Sequence, residues 1–381
     1  MREYHRSWSP SPPAFSPVTL THRFTRSASR SEITAVGISP SSSSSSSSSS
    51  RASGTPPPSL AYAIFPGAQP DQSWIDTFDL VSQRGYTKIV GPVASFSPTL
   101  HSPPLRVGKS SPFSSSSSSS SSSASAEAFP RIATLSSTHS LTIRDFSSAK
   151  AILELSHVSA PIAWSPDGRT IAAAEQQQPS SRSSSHYHQH HQNHFRVGTW
   201  DVRTGCRTGR VPGHIDAVTH MAFTPDGTAL VTLSRDGTVR VTDPVASRTL
   251  YKLEIGDNNG SSGPRIPRAL GVSPDGATVV SVWGTAVHVW MPRHGQLTSY
   301  ALGATRHCEG WPLCVSPDCR YIASWTEDGF DVMDAASGSV VCASVGGPLV
   351  TAAEFSGDGR VLVVGRISGD VEVWDVVDER M

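Results

Sequence analysis

The sequence predicts an all-β chain that repeats one antiparallel unit. Two observations carry that expectation. The first is residues 213–243, GHIDAVTHMAFTPDGTALVTLSRDGTVRVTD, with apolar runs at 217–223, 229–233 and 239–241. These runs are rich in Val, Thr and Leu and too short for helices. Pro225-Asp226-Gly227 and Arg235-Asp236-Gly237 separate them, and a fourth run follows at 249–255. Asp-Gly between apolar runs marks a hairpin, because glycine reaches positive φ without steric cost. The second observation is recurrence. Ser-Pro-Asp-Gly returns at 165–168 and 273–276, and is varied at 316–319 (Ser-Pro-Asp-Cys) and 356–359 (Ser-Gly-Asp-Gly). After each comes an apolar run, a break and a second run. That second run closes in Trp-Asp at Trp200-Asp201 and Trp374-Asp375, with a weaker match at Met333-Asp334.

Gly213-His214 before the first run, the turn aspartate Asp236 and the closing Trp-Asp pairs resemble the WD40-repeat family. A repeat of about 40–45 residues is similar to that family as well. The resemblance covers most of the chain and implies a seven-bladed β-propeller, a superfold that hosts many unrelated functions. Each blade then has strands a to d, from the central channel outward. The last repeat ends at Trp374-Asp375-Val376, a strand c, so blade seven needs its outer strand from elsewhere. The alternating run 18–24 is expected to supply it and to close the ring, since closure removes exposed sheet edges.

Blade one takes 33–40 as strand a, 60–65 as b and 74–80 as c, with a short helix over 73–83 as the alternative to that last strand. Blade two takes 93–97, 132–135, 141–145 and 151–155, and blade three takes 160–165, 170–174 and 195–201. Blade four is the stretch described first. Blade five takes 269–273, 277–282 and 286–290; blade six 313–316, 321–325 and 330–334; blade seven 350–355, 361–364 and 371–376. Insertions at 41–59, 99–130 and 176–194 are expected to be disordered, because Ser-rich and His-rich tracts bury too little apolar surface to offset ordering entropy. Without them, residues 18–381 divide into seven blades of about 42 residues; six would give about 49 and eight about 37. Residues 1–17 are expected to form a disordered tail.

Lys plus Arg and Asp plus Glu are 31 each, so no global field favours nucleic acid or an anionic membrane. No apolar run reaches the length of a membrane span, and the N-terminus lacks the apolar core of a secretory signal. Its Arg- and Ser-rich, acid-poor character up to Ser31 resembles an organelle transit peptide. Five sparse cysteines (206, 308, 314, 319 and 342), with no CxxC pair, read as reduced thiols and place the chain in the cytoplasm or nucleus.

No P-loop, GxGxxG, HExxH or GxSxG motif is present, and no cofactor is expected. Five histidines between His186 and His194 sit in a Ser- and Gln-flanked tract without acidic or thiol partners, which reads as low complexity with adventitious metal affinity. The resemblance implies a structural hydrogen-bond network of His214, Asp236 and a strand-b hydroxyl, Thr232 or Ser234. The family's closing tryptophan is Thr242 in that blade, while Trp200-Asp201 and Trp374-Asp375 keep the pattern. The resemblance also implies a docking face lined by the ends of strands b (Arg235, Trp283, Glu327, Arg366) and by residues before strands a (Asp216, Trp311). Exposed Trp and Arg are common interface anchors.

The leading reading is a non-enzymatic scaffold that docks a protein or peptide, as a monomeric propeller within a complex, with no specific nucleic acid or membrane partner. Two others stay open. A propeller enzyme of lactonase or quinone-cofactor type needs carboxylates or histidines converging on the channel. A substrate receptor of a ubiquitin ligase would add an F-box-like helical region, which 17 residues are too few to hold.

Overall fold

A computed structural model describes residues 18–27, 33, 35–38, 60–66, 73–80, 85–90, 131–136, 138–145, 150–176, 195–255, 266–302, 313–326, 329–347 and 349–378. Every regular element among them is a strand. The strands form six four-stranded sheets and one three-stranded sheet, with all pairings antiparallel.

In strand order a to d, sheet one takes Ala35–Ile38, Leu60–Pro66, Ser73–Asp79 and Gly85–Val90. Sheet two has Arg131–Leu135, Ser140–Asp145 and Ala151–Ser156, in the places of b, c and d. Sheet three follows with Val158–Trp164, Thr170–Glu175, Phe195–Asp201 and Arg207–His214. Sheet four has Val218–Phe223, Leu230–Ser234, Thr238–Asp243 and Arg248–Glu254. Sheet five has Pro267–Val272, Val279–Trp283, Ala286–Met291 and Gln296–Ala301. Sheet six has Leu313–Val315, Tyr321–Thr326, Gly329–Asp334 and Val340–Val345. Sheet seven joins Val350–Phe355, Val361–Arg366 and Asp370–Asp378 to Val18–Ser27 at its outer edge.

Residues 73–79 form a strand, not the alternative helix: Asp76, Phe78 and Leu80 are all buried, the period of two that puts alternate residues on one packed face. The outer strands of sheets one, three, five and six had no counterpart among the expected runs. The expected strand 93–97 lies outside the described residues, as do 1–17 and the three insertions apart from Gln176.

The recurring four-residue motif is one hydrogen-bonded turn made five times. The first hydroxyl (Ser165, Thr224, Ser273, Ser316 or Ser356) donates to the aspartate two residues on, at 2.5–2.6 Å. The same hydroxyl accepts the backbone N–H five residues on, at 2.9–3.0 Å. The aspartate caps the N–H two residues beyond itself, which leaves the fourth position at positive φ. Glycine holds that position four times, and Cys319 adopts it at φ 60°.

Between these turns strand b is sealed: all five residues of Leu230–Ser234 and of Val279–Trp283 are buried. Apolar clusters then join neighbouring sheets: two to three, three to four, four to five, five to six, six to seven, and seven to one. At the last of these, Phe24, Val363 and Val373 of sheet seven meet Val36, Phe78 and Leu80.

The strand Val18–Ser27 changes face partway. Its register against Asp370–Asp378 slips between His22 and Phe24, with Arg23 as the extra residue. Before the slip, Leu20 packs with Val376 and Tyr321 towards sheet six. After it, Phe24 lies edge-on to Phe78 of sheet one, with ring centroids 6.1 Å apart. One inserted residue reverses which side each later side chain faces, so a single strand seals both of its neighbours.

Candidate docking face

At the end of sheet four where strand b stops, His214 is completely buried. Its Nδ1 lies 2.9 Å from Asp236 Oδ2 and its Nε2 lies 2.8 Å from Thr232 Oγ1. Asp236 also accepts from the Thr238 hydroxyl (2.6 Å) and from the N–H groups of Thr238 (2.9 Å) and Ile215 (3.1 Å). Burial alone would raise the Asp236 pKa, but hydrogen bonds from His214 and Thr238 outweigh it and hold the carboxyl well below its usual range. Burial pushes the His214 pKa down, opposed by its bond to Asp236. The constellation is a brace with its acceptors filled. It ties the end of sheet three's outer strand to the b–c turn of sheet four.

Thr232, not Ser234, is the hydroxyl on His214. Ser234 instead donates to the Asp216 carbonyl (2.9 Å) and accepts the Asp236 N–H (3.2 Å). Thr242, at the closing position, buries a hydroxyl with no partner among the described residues. The Trp-Asp pairs are held differently. Trp200 lies under the Arg207 guanidinium, 5.7 Å from the ring centre, and Asp201 caps its turn through the Thr204 hydroxyl (2.8 Å) and N–H (2.7 Å). Trp374 donates to Glu372 Oε2 at 3.2 Å, and Asp375 accepts from Arg23 Nε at 3.0 Å.

The expected docking residues divide on one register detail. The a–b ladder runs from Phe223↔Leu230 to Val218↔Ser234 in sheet four, from Val272↔Val279 to Pro267↔Trp283 in sheet five, and from Phe355↔Leu362 to Val350↔Arg366 in sheet seven. Ser234, Trp283 and Arg366 therefore occupy the same rung, and all three are buried. Arg235 is one residue further, past the end of the strand and in the b–c turn, where it is exposed. This corrects the expectation of exposure at Trp283 and Arg366. Trp283 packs in the cluster between sheets four and five. Arg366 donates to Glu372 through Nε (3.0 Å) and Nη2 (2.9 Å). Asp216 is half-buried, its Oδ1 taking the Ala217 N–H at 2.6 Å. Trp311 and Glu327 lie outside the described residues, as does the histidine tract.

The same end of the molecule exposes apolar side chains that were not anticipated. Ile215 (65% exposed), Ile266, Leu349, Ile367 and Phe195 all sit where strands a and c begin. Three of these positions are read off one repeated bond. The Arg235 N–H donates to the Ala217 carbonyl, Gly284 to Ile266 and Ile367 to Leu349, each at 2.8–2.9 Å.

Further in, a cavity of about 450 Å³ is bordered by the innermost strands of sheets three, four and five, with His220, Met221, Ile162 and Leu270 on its wall. Burial pushes the His220 pKa down to about 4, so the ring is neutral near pH 7. Among the described residues no three His, Cys, Asp or Glu side chains come together as a metal site, and no helix is long and apolar enough to cross a membrane.

Residues 205–243 match the family model described as WD domain, G-beta repeat. Among curated proteins the chain is similar to coronin-7 of Rattus norvegicus, 38% identical over 85 residues (22% of this chain, 9% of that protein). It is also similar to autophagy-related protein 16 of Arabidopsis thaliana, 31% identical over 140 residues (33% and 26%). A third relative is WD repeat and SOCS box-containing protein 1 of Danio rerio, 35% identical over 100 residues (26% and 22%). The chain thus spans between about a tenth and about a quarter of the length of these relatives. The family match falls on sheet four and on the strand that leads into it, where the histidine brace is built, and the segment 205–243 is similar to a WD repeat.

Proposed function

We propose that the protein is a non-enzymatic scaffold, a seven-bladed propeller that docks a protein or peptide partner on the face where strands a and c begin. One observation carries this reading: Phe195, Ile215, Ile266, Leu349 and Ile367 leave apolar surface exposed at that end of sheets three, four, five and seven, beside the exposed Arg235. Apolar side chains grouped on one face and interrupted by a guanidinium are the composition of an interface core, not of a solvated rim. The His214–Asp236 brace beneath Ile215 fixes the b–c turn of sheet four, so little ordering entropy is lost there on binding.

The test is affinity capture with the full chain, followed by a direct binding measurement on whatever is retained. Ile215→Ser, Ile367→Ser and Arg235→Glu should each leave the melting temperature in place. Combined, they should weaken binding by at least about 2 kcal/mol, the scale of a hot spot. Retention of every partner by the triple variant would move the interface off this face.

A further inference from the structure

The opposite end of the molecule holds a groove between sheets four and five, lined by their a–b turns. It encloses about 120 Å³, and its floor is aliphatic: Ala229, Val231, Val241 and Val279. That volume is below the ~300 Å³ at which sites for small molecules begin, and is of the size of one side chain. Leu250 and Tyr251, on the outer strand of sheet four, form one wall. They are 39% and 38% exposed, and are the only two large apolar side chains adjacent in sequence that both lie open among the described residues.

The two lips are the a–b turns of sheets four and five, each carrying its aspartate, Asp226 and Asp275. Both carboxyl pKa values are held below the ordinary range, first by the hydroxyl of Thr224 or Ser273 and then by backbone N–H groups, so both groups stay charged. The turn bonds of Asp275 fall on Oδ1, which takes the Ser273 hydroxyl (2.5 Å) and the Ala277 N–H (2.9 Å). Its Oδ2 accepts no hydrogen bond among the described residues. Arg293 also borders the groove, and two carboxylates against one guanidinium leave the lining net negative.

We infer that this groove seats one aliphatic side chain from a peptide segment whose neighbouring residues are Lys or Arg. The floor takes the aliphatic group out of water, and the lips attract the flanking cations. The surface is independent of the docking face, so either can fail without the other.

The probes are three capped pentapeptides added to the full chain with labelled methyl groups, read by NMR: Gly-Lys-Leu-Lys-Gly, Gly-Glu-Leu-Glu-Gly and Gly-Lys-Gly-Lys-Gly. The first should give saturable shifts at the methyls of Ala229, Val231, Val279 and Leu250 at millimolar concentration. The other two should bind at least ten-fold more weakly. Asp275→Asn should weaken the first peptide several-fold, and Tyr251→Ser, which leaves both turns untouched, should do the same. Equal binding of the Lys and Glu peptides, shifts unchanged in both variants, or no saturable shift with the first peptide would each overturn the inference.

Discussion

Arg366 and Arg235 show how one rung decides what an arginine does. Both stand at the end of a strand b. Arg235 is exposed. Arg366 is 2% exposed and held by both oxygens of Glu372, and Glu372 also takes the Trp374 indole N–H. What separates them is one residue of spacing from the recurring turn: Arg366 lies as far past Ser356 as Ser234 lies past Thr224, on the same rung of the a–b ladder, and Arg235 falls one residue beyond that rung. Truncating one partner of a buried ion pair strands the other charge, at about 3–5 kcal/mol. Arg366→Ala or Glu372→Ala should therefore lower unfolding stability on that scale in urea titrations. Arg366→Met combined with Glu372→Leu should recover much of it, because no charge is then left unpaired. Arg235→Ala should move stability by less than about 0.5 kcal/mol. A change at Arg366 that weakened partner binding without loss of stability would contradict its structural role.

At the scale of elements, what the sequence disclosed tracks burial. Strands b are buried along most of their length and strands c at their apolar positions, so their apolar runs stand out and their bounds agree with the structure to within two residues. The outer strands are not so buried. Gln296–Ala301 is exposed at five of its six residues, leaving no alternation to read. The five turns were legible because their chemistry is local: a hydroxyl, an aspartate and a residue tolerant of positive φ, in fixed order. Thr224 already replaces serine in one copy and keeps every bond. Ser356→Ala should cost about 1–3 kcal/mol, since it leaves the buried Val361 N–H without its acceptor and frees one oxygen of Asp358. Ser356→Thr should restore most of that stability. Equal melting temperatures for Ser356→Ala and the parent protein would show that the turn is held by something other than its hydroxyl.

At the scale of the whole molecule, the question is whether seven sheets act as one cooperative ring. Six junctions between neighbouring sheets are apolar clusters, and the one between sheets seven and one depends on the strand Val18–Ser27. Phe24 packs there, and Arg26 reaches across to the buried Asp76 at 3.2 Å while lying 5.5 Å from the centre of the Phe78 ring. The same junction is tight at Gly365: a β-carbon there would stand 2.7 Å from Ile33 and 3.0 Å from Val36. Gly365→Val should thus wedge sheet seven from sheet one, although it touches no partner-facing residue. Removing residues 1–27 should open the same junction and expose both the edge of Asp370–Asp378 and the apolar face of Phe78. If the ring is closed and cooperative, both variants should lower the midpoint for the entire domain, with one transition seen by circular dichroism and by tryptophan fluorescence. The truncated chain should also aggregate. Removing only residues 1–14 should do little. A chain that begins near Ser31 and melts like the full protein would mean the sheets do not close through this strand, and the seven-bladed assignment would fall with it.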